Sequence, residues 1–355
     1  MEMLQEFKVR RTTHSRIGEV DFKNLEFGKY VSDHMLLADY ANGDWSDAHI
    51  LPFSNLSMSP TTLALHYGQS VFEGMKAFRM HDGRVNIFRI SKHYERWVRS
   101  LDRMCMAVTP EHIFSEGIIQ LVGVDQQWVP KGPGSALYIR PFEFASEQRF
   151  GVKVSDEYRF IIFTGPVATV FAKPIKVKVE TEFVRAVKGG TGFAKCSGNY
   201  GGAFYPTQKA KKEGYDQVLW TDGRENKYIE ESGMMNVVFV IDGKIVTPAL
   251  SDSILDGITR DSLLTIARDM GITVEERPVE VAELHQAFKN RTITEAFGAG
   301  TAAVVAPIQT IHIYGIDHHL PPYREDSLMY VLRDKLEAIR SGNEPDVFGW
   351  NTVVG

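Results

Sequence analysis

The chain has 355 residues and a formal net charge of −5, from 40 Lys plus Arg against 45 Asp plus Glu; 43% of it is hydrophobic and 24% charged. At roughly 100–200 residues per domain this is a globular chain of two domains or one large one, which excludes a disordered tail and a mini-protein. Two cysteines, Cys105 and Cys196, exclude a disulfide framework and a four-thiolate zinc site, and acidity spread along the chain argues against a nucleic-acid partner. The uncharged stretch Phe160–Ala172 is broken by Gly165 and Pro166 and falls short of the roughly 20 apolar residues of a membrane span. The N-terminal MEMLQEFKVRRTTHSR carries no apolar run before a small-residue cleavage site, so the cytoplasm is the expected compartment.

In chain order, His34–Tyr40 and Val85–Ile90 read as strands, and Ser91–Met104 follows with apolar residues at helical spacing. Thr109 precedes Pro110, so a second helix is expected to open there with the threonine hydroxyl as its cap. Ser135–Phe144 and Arg159–Thr164 return as strands, and Ile175–Glu180 alternates strictly with period two before a glycine-dense stretch, Gly189–Gly202. Beyond it come a helix around Tyr200–Glu213 and strands Gln217–Thr221, Val237–Ile241 and Lys244–Thr247, the last two joined by the hairpin signal Asp242–Gly243. Thr259–Met270 is an amphipathic helix closed by Gly271.

Four constellations can carry chemistry. Lys195 lies among six glycines between Gly189 and Gly202, with Asn199 and Tyr200 close behind; such a lysine is either an amine nucleophile approached closely by a ligand or an exposed residue on a linker. Glu230 and Glu231 precede Gly233 and an apolar strand, where a carboxylate needs a cation, for catalysis or as a structural salt bridge. Asp256-Gly257-Ile258-Thr259 puts N–H groups, a hydroxyl and a helix N-terminus together, as a phosphate site or an ordinary cap. The string from Gly298 to Ala303 matches G-x-G-x-x-A, but Pro307 and the strand-like residues around it leave no helix to follow, so a dinucleotide fold does not fit. Finally, alternation puts Tyr138 and Arg140 on one strand face, where a phenol and a guanidinium can hold a carboxylate or simply pair with each other. His312, Asp317, His318 and His319 read as exposed turn residues, and no metal is expected.

An amine, a carboxylate, a phosphate cradle and a carboxylate clamp are the equipment of a pyridoxal-phosphate enzyme acting on amino acids. The strings FGKYVSDHML, LHYGQSVFEGMKAFR, LYIRP, AKCSGNYGG, EESGMMN, LDGITRDSLL and FGAGTAA, in that order from Phe27 onward, resemble the branched-chain amino acid aminotransferases of the fold-type IV pyridoxal-phosphate family. The resemblance implies an α+β, two-domain chain: a smaller N-terminal α/β domain over 1–172, a connector over 173–188 and a larger mixed α/β domain over 189–355, with pyridoxal 5′-phosphate at the domain interface. It further implies Lys195 as catalytic and cofactor lysine, Glu231 at the pyridine nitrogen and Tyr200 at the ring hydroxyl. Arg96, Ile258, Thr259 and Thr301 would hold the phosphate.

For the substrate, the same resemblance implies an apolar pocket of Phe27, Tyr67, Phe72 and Tyr138, with Phe150 and Val152 lent by the second subunit of a homodimer. Backbone groups of Thr301 and Ala302 would meet the α-carboxylate, and Arg140 the side-chain carboxylate of glutamate. Val170 stands where some relatives place a pocket tyrosine, and Cys196-Ser197-Gly198 and Met234 depart from the common pattern. The implied reaction moves the amino group between leucine, isoleucine or valine and 2-oxoglutarate, as in amino-acid biosynthesis. A D-amino acid aminotransferase or an aminodeoxychorismate lyase of the same fold is the alternative.

Overall fold

A computed structural model describes residues 7–132, 134–168 and 173–354. The chain forms two compact units, one of 7–168, Ala194–Gly198 and 338–354, the other of 173–193 and Asn199–Glu337.

The first unit is built on a ten-stranded sheet in which nearly every pairing is antiparallel. Its longest ladder joins Ala136–Ala145 to Tyr158–Val167 along their whole length. Tyr158–Val167 is apolar on both faces at its centre, whereas Ala136–Ala145 carries Tyr138, Arg140 and Glu143 among its apolar residues. Helix Ile90–Arg103 buries Ile90, His93, Arg96, Trp97, Ser100 and Leu101, so the inward stripe of this helix holds two ionisable groups and a hydroxyl beside its large apolar anchors. Trp97 is fully buried against the rings of Phe114 and Phe160, each 5.5 Å away. The C-terminal strand Asn351–Val354 closes one edge by pairing with Val85–Phe88.

One sequence expectation is corrected here. Thr109 does not cap the second helix: its hydroxyl donates to the Glu143 carboxyl (2.5 Å), and both groups are fully buried. The helical run opens instead with Phe114 N–H donating to the Pro110 carbonyl (3.0 Å), passes through a wide turn at His112–Glu116 and continues as Gly117–Val124. A carboxyl buried on a central strand needs a donor more than a helix end does, since first-turn N–H groups can reach water.

In the second unit, a nine-stranded sheet closes on itself. Strands Ile229–Ser232, Gln217–Thr221, Ile175–Val179, Val305–Ile313, Ile293–Ala299 and Met235–Ile241 pair in that order, and the last pairs again with the first. Val177, Leu219, Phe239, Ile308 and Ile311 belong to one fully buried cluster in it. The hairpin at Asp242–Gly243 has φ of 50° and 73° at its two central residues, the left-handed pair that a twisted two-residue turn demands. Helix Ile258–Asp269 packs with its apolar face inward and stops before Gly271 (φ 75°). Val305–Ile313 is a strand, so no helix follows Gly298. Among the described residues no helix is long and apolar enough to cross a membrane.

Candidate active site

In the first unit, Lys195 is held by its own backbone. Cys196 bridges antiparallel to Val71, Phe72 N–H donates to the Lys195 carbonyl (3.1 Å), and Ser197 N–H donates to the Ser70 carbonyl (3.1 Å). On the other side Lys195 N–H donates to Ser100 Oγ (3.0 Å), so helix Ile90–Arg103 and strand Ser70–Phe72 grip the same residue. Cys196 is buried in the unit's main apolar cluster. The lysine Nζ stands 4.9 Å from the centre of the Phe72 ring. A linker lysine has no such restraints.

Arg96 reaches inward from the same helix. Its Nε and Nη2 donate to the two oxygens of Glu73 (2.7 and 2.8 Å), and His93 Nδ1 meets Glu73 Oε2 at 2.8 Å. All three side chains are buried. Burial opposes the charge on Glu73, but Arg96 and His93 outweigh it and hold the carboxyl far below the usual carboxylate range. Burial also pushes His93 down despite Glu73, so its imidazole is neutral at pH 7.

The same unit holds a cavity of about 260 Å³, lined by Phe27, Tyr30, Val31, Tyr138, Arg140 and Phe163 among others. Phe27 packs edge-on to Tyr138, with centroids 5.1 Å apart. Arg140 lies between the Phe72 and Tyr138 rings (4.7 and 5.2 Å) and donates to the Tyr138 hydroxyl (3.0 Å), as their shared strand face requires. Its buried Nε has no hydrogen-bond partner. Tyr138 owes its place to Gly74, where a Cβ would come within 2.0 Å of the phenol oxygen. Tyr67 ends helix Leu63–Tyr67, 43% exposed and apart from this lining, while Phe150 and Val152 project from a loop at 94% and 82% exposure.

The second unit holds the acidic motif. Glu231 pairs across the sheet with Asn236 around a tight turn at Gly233 (φ 58°). Its Oε1 accepts Leu255 N–H (2.8 Å), and Arg185 Nε stands 3.2 Å from Oε2, at ion-pair distance without hydrogen-bond alignment. The cation that a buried carboxylate requires is therefore Arg185, a residue to which no sequence signal points. Glu230 differs: Ser253 donates to one oxygen, the other has no partner, and burial pushes the carboxyl up to about 7 against Ser253 and Arg185. Two neighbouring acids thus meet opposite surroundings, because only one faces an arginine closely while desolvation raises the other's affinity for a proton.

Gly257 precedes helix Ile258–Asp269, and a Cβ there would lie 1.8 Å from the Asn236 amide oxygen. Ile258 and Thr259, both buried, open that helix. Gly298 and Gly300 lie under Met235, which a Cβ at either would touch at 2.6 and 3.2 Å; this packing, rather than a pyrophosphate, accounts for the glycines. Thr301 and Ala302 follow strand Ile293–Ala299, half-buried and exposed respectively. Tyr200 sits half-buried in the helical turn Gly198–Gly201, after Asn199 whose amide is exchanged with Thr191 (2.7 and 2.8 Å). Val170 lies outside the described residues.

Residues 70–311 match the family model for amino-transferase class IV. The chain belongs to that family. It is 44% identical over 339 residues to the probable branched-chain-amino-acid aminotransferase of Staphylococcus epidermidis strain RP62A, covering 94% of each chain. With branched-chain-amino-acid aminotransferase 2 of Bacillus subtilis strain 168 it shares 43% identity over 346 residues, 96% of this chain and 95% of the relative. Among solved structures, the branched-chain amino acid aminotransferase from Escherichia coli superposes with TM-score 0.73 at 25% identity, over 91% of this chain and 99% of the other. The branched-chain amino acid aminotransferase from Thermobaculum terrenum, solved in its PLP-form, shares the fold at 24% identity, with TM-score 0.72 over 90% of this chain and 98% of the other. The two-domain α+β fold is that of the fold-type IV aminotransferases.

Proposed function

We propose that the protein is a branched-chain amino acid aminotransferase that uses pyridoxal 5′-phosphate to move the amino group between L-leucine, L-isoleucine or L-valine and 2-oxoglutarate. The observation that carries this reading is Arg140: a guanidinium with an unpartnered buried Nε in the wall of a cavity otherwise largely apolar. Apolar rings take a branched side chain by burial, and one arginine supplies the charge that glutamate needs. The donor set fits the cofactor: an amine on an immobilised backbone, a carboxylate beside an arginine, and a second arginine oriented before any anion arrives.

When bound, the cofactor supplies an aldehyde that takes up the amino group and a ring that draws electrons from the substrate's Cα. Lys195 would tether it, and its amine is the group that would carry the Cα proton as general base. Glu231, backed by Arg185, holds a proton on the ring nitrogen, and Tyr200 meets the ring hydroxyl. Arg96, Ile258, Thr259 and Thr301 hold the phosphate. Phe27, Tyr67, Phe72 and Tyr138 form the apolar wall, Arg140 reads the glutamate side chain, and backbone groups of Thr301 and Ala302 take the α-carboxylate. Phe150 and Val152, large apolar side chains left in solvent by this chain, serve the partner's pocket in a homodimer. Both cysteines are free, in keeping with work in the cytoplasm.

Two experiments test the reading. The holo-enzyme should turn over L-leucine, and not D-alanine, with 2-oxoglutarate; the reverse preference would move the protein to a D-specific relative. Lys195→Ala should lose both the visible absorbance of lysine-attached cofactor and turnover, and retention of both would refute the lysine's assignment.

A further inference from the structure

Helix Ile90–Arg103 links two groups that the proposed function uses separately. Ser100 Oγ accepts Lys195 N–H (3.0 Å) and donates to the Arg96 carbonyl (2.9 Å), one helical turn back. The Arg96 guanidinium is forked onto Glu73, and Phe72, the residue before Glu73, donates its N–H to the Lys195 carbonyl (3.1 Å). His93, a turn before Arg96 on the same face, adds a further donor to Glu73, whose Oε2 also accepts Gly74 N–H (3.0 Å). The result is a closed circuit of hydrogen bonds within one unit, running from the lysine through the helix to the arginine and back through the strand.

We propose that Glu73 is a positioning residue that orients Arg96 for an anionic ligand before the ligand arrives, and that helix Ile90–Arg103 sets this arginine and Lys195 as one prearranged pair. The proposal rests on the reading in which Arg96 holds the cofactor phosphate and Lys195 receives its aldehyde. An arginine with a long free stem loses its rotamer freedom when a ligand binds; forked onto a buried carboxylate, it has lost that freedom already at folding. Planar bidentate pairing also fixes the plane of the guanidinium, which a lone hydrogen bond does not.

Charge alone makes the opposite forecast. Glu73 neutralises Arg96, and His93 is uncharged, so the trio presents no net charge to an incoming phosphate. If neutralisation were the whole effect of Glu73, removing its charge would strengthen anion binding; if orientation dominates, removal weakens it. The sign of the change separates the two.

The test compares pyridoxal phosphate with pyridoxal as probes of the apo-protein, by quenching of tryptophan fluorescence. In Glu73→Gln, the dissociation constant for pyridoxal phosphate should rise roughly tenfold or more while that for pyridoxal stays put. Because an amide in place of the Glu73 carboxylate leaves at least one of its buried donors without an acceptor, the variant can fail to fold; His93→Leu, which removes one donor to Glu73 and offers none in its place, is the second arm and should give a rise of roughly two- to threefold in the same phosphate-dependent sense. Unchanged or tighter binding in the folded variants overturns the positioning role, and His93→Leu decides it alone should Glu73→Gln not fold. Ser100→Ala should slow the growth of the visible band of lysine-attached cofactor; an unaltered rate removes the coupling of Lys195 to the helix. Arg96→Lys separates the two levels: if it binds pyridoxal phosphate as the natural protein does, the assignment of Arg96 to the phosphate fails, whatever Glu73 does.

Discussion

In the proposed function one pocket accepts two unlike substrates, and replacing Arg140 by methionine should divide them. The guanidinium lies 4.7 and 5.2 Å from the Phe72 and Tyr138 rings, and donates to the Tyr138 hydroxyl with its Nε left over. Methionine keeps much of the bulk between the rings, so the wall that receives leucine survives, and kcat/KM for L-leucine should change by no more than about threefold. Glutamate loses its counter-charge. A hydrogen bond to a charged group contributes about 1.5–3 kcal/mol, and each 1.4 kcal/mol is about tenfold, so kcat/KM for L-glutamate should fall roughly 10- to 150-fold. Single-turnover half-reactions with each amino acid, read from the cofactor's absorbance, measure the two values independently. Equal losses for both substrates, or glutamate turnover at the natural rate, would refute the role given to Arg140.

The remaining predictions concern packing, titration and assembly. Gly74→Ala puts a Cβ within 2.0 Å of the Tyr138 hydroxyl; the ring must move, costing about 1–3 kcal/mol in denaturant-measured stability and raising KM for both amino acids as the pocket deforms. Glu143 is raised well above the ordinary carboxyl range by burial, with the Thr109 hydroxyl opposing only in part. The native state therefore holds this proton after the unfolded chain has released it, and stability is lost as pH climbs from the unfolded value toward the folded one. Glu143→Gln removes that loss, so its stability relative to the natural protein should rise from about pH 5 to about pH 8 in urea titrations; a gap that narrows with pH would contradict the assignment. The Phe150→Ser, Val152→Ser double variant should shift the sedimentation coefficient from dimer toward monomer, because those exposed side chains have no cover within their own chain.

Much of the fold and of the chemistry can be read in the amino-acid order. Where alternation or helical spacing is clear, as at His34–Tyr40, Ser135–Phe144, Gln217–Thr221 and Thr259–Met270, the element lies within a residue or two of its pattern, since those patterns are set by side-chain geometry that every chain shares; strand Met75–Arg79 and helices Val281–Asn290 and Leu328–Ser341 go unmarked. Asp242–Gly243 announces a left-handed turn in the same way. The chemically unusual residues, Lys195 among glycines and Glu231 before an apolar strand, stand out because each conflicts with its local surroundings, and a conflict of that kind needs a ligand or a partner. The partners themselves do not show. Arg185, Glu73, His93 and Ser100 are residue types that usually face solvent; Glu73, His93 and Ser100 are buried and Arg185 half-buried because the fold brings a distant partner to each. Thr109 makes the same point: its place before Pro110 reads as a cap, yet Glu143, far along the chain, takes its hydroxyl. Residue type and spacing determined which groups are capable of the chemistry; tertiary contacts decided which of them are charged, how they are oriented, and that Ala194–Gly198 lies along strand Ser70–Phe72. The physical reason is that the energy of a buried polar group depends on what folding places within about 3 Å of it, and no local stretch of sequence carries that information.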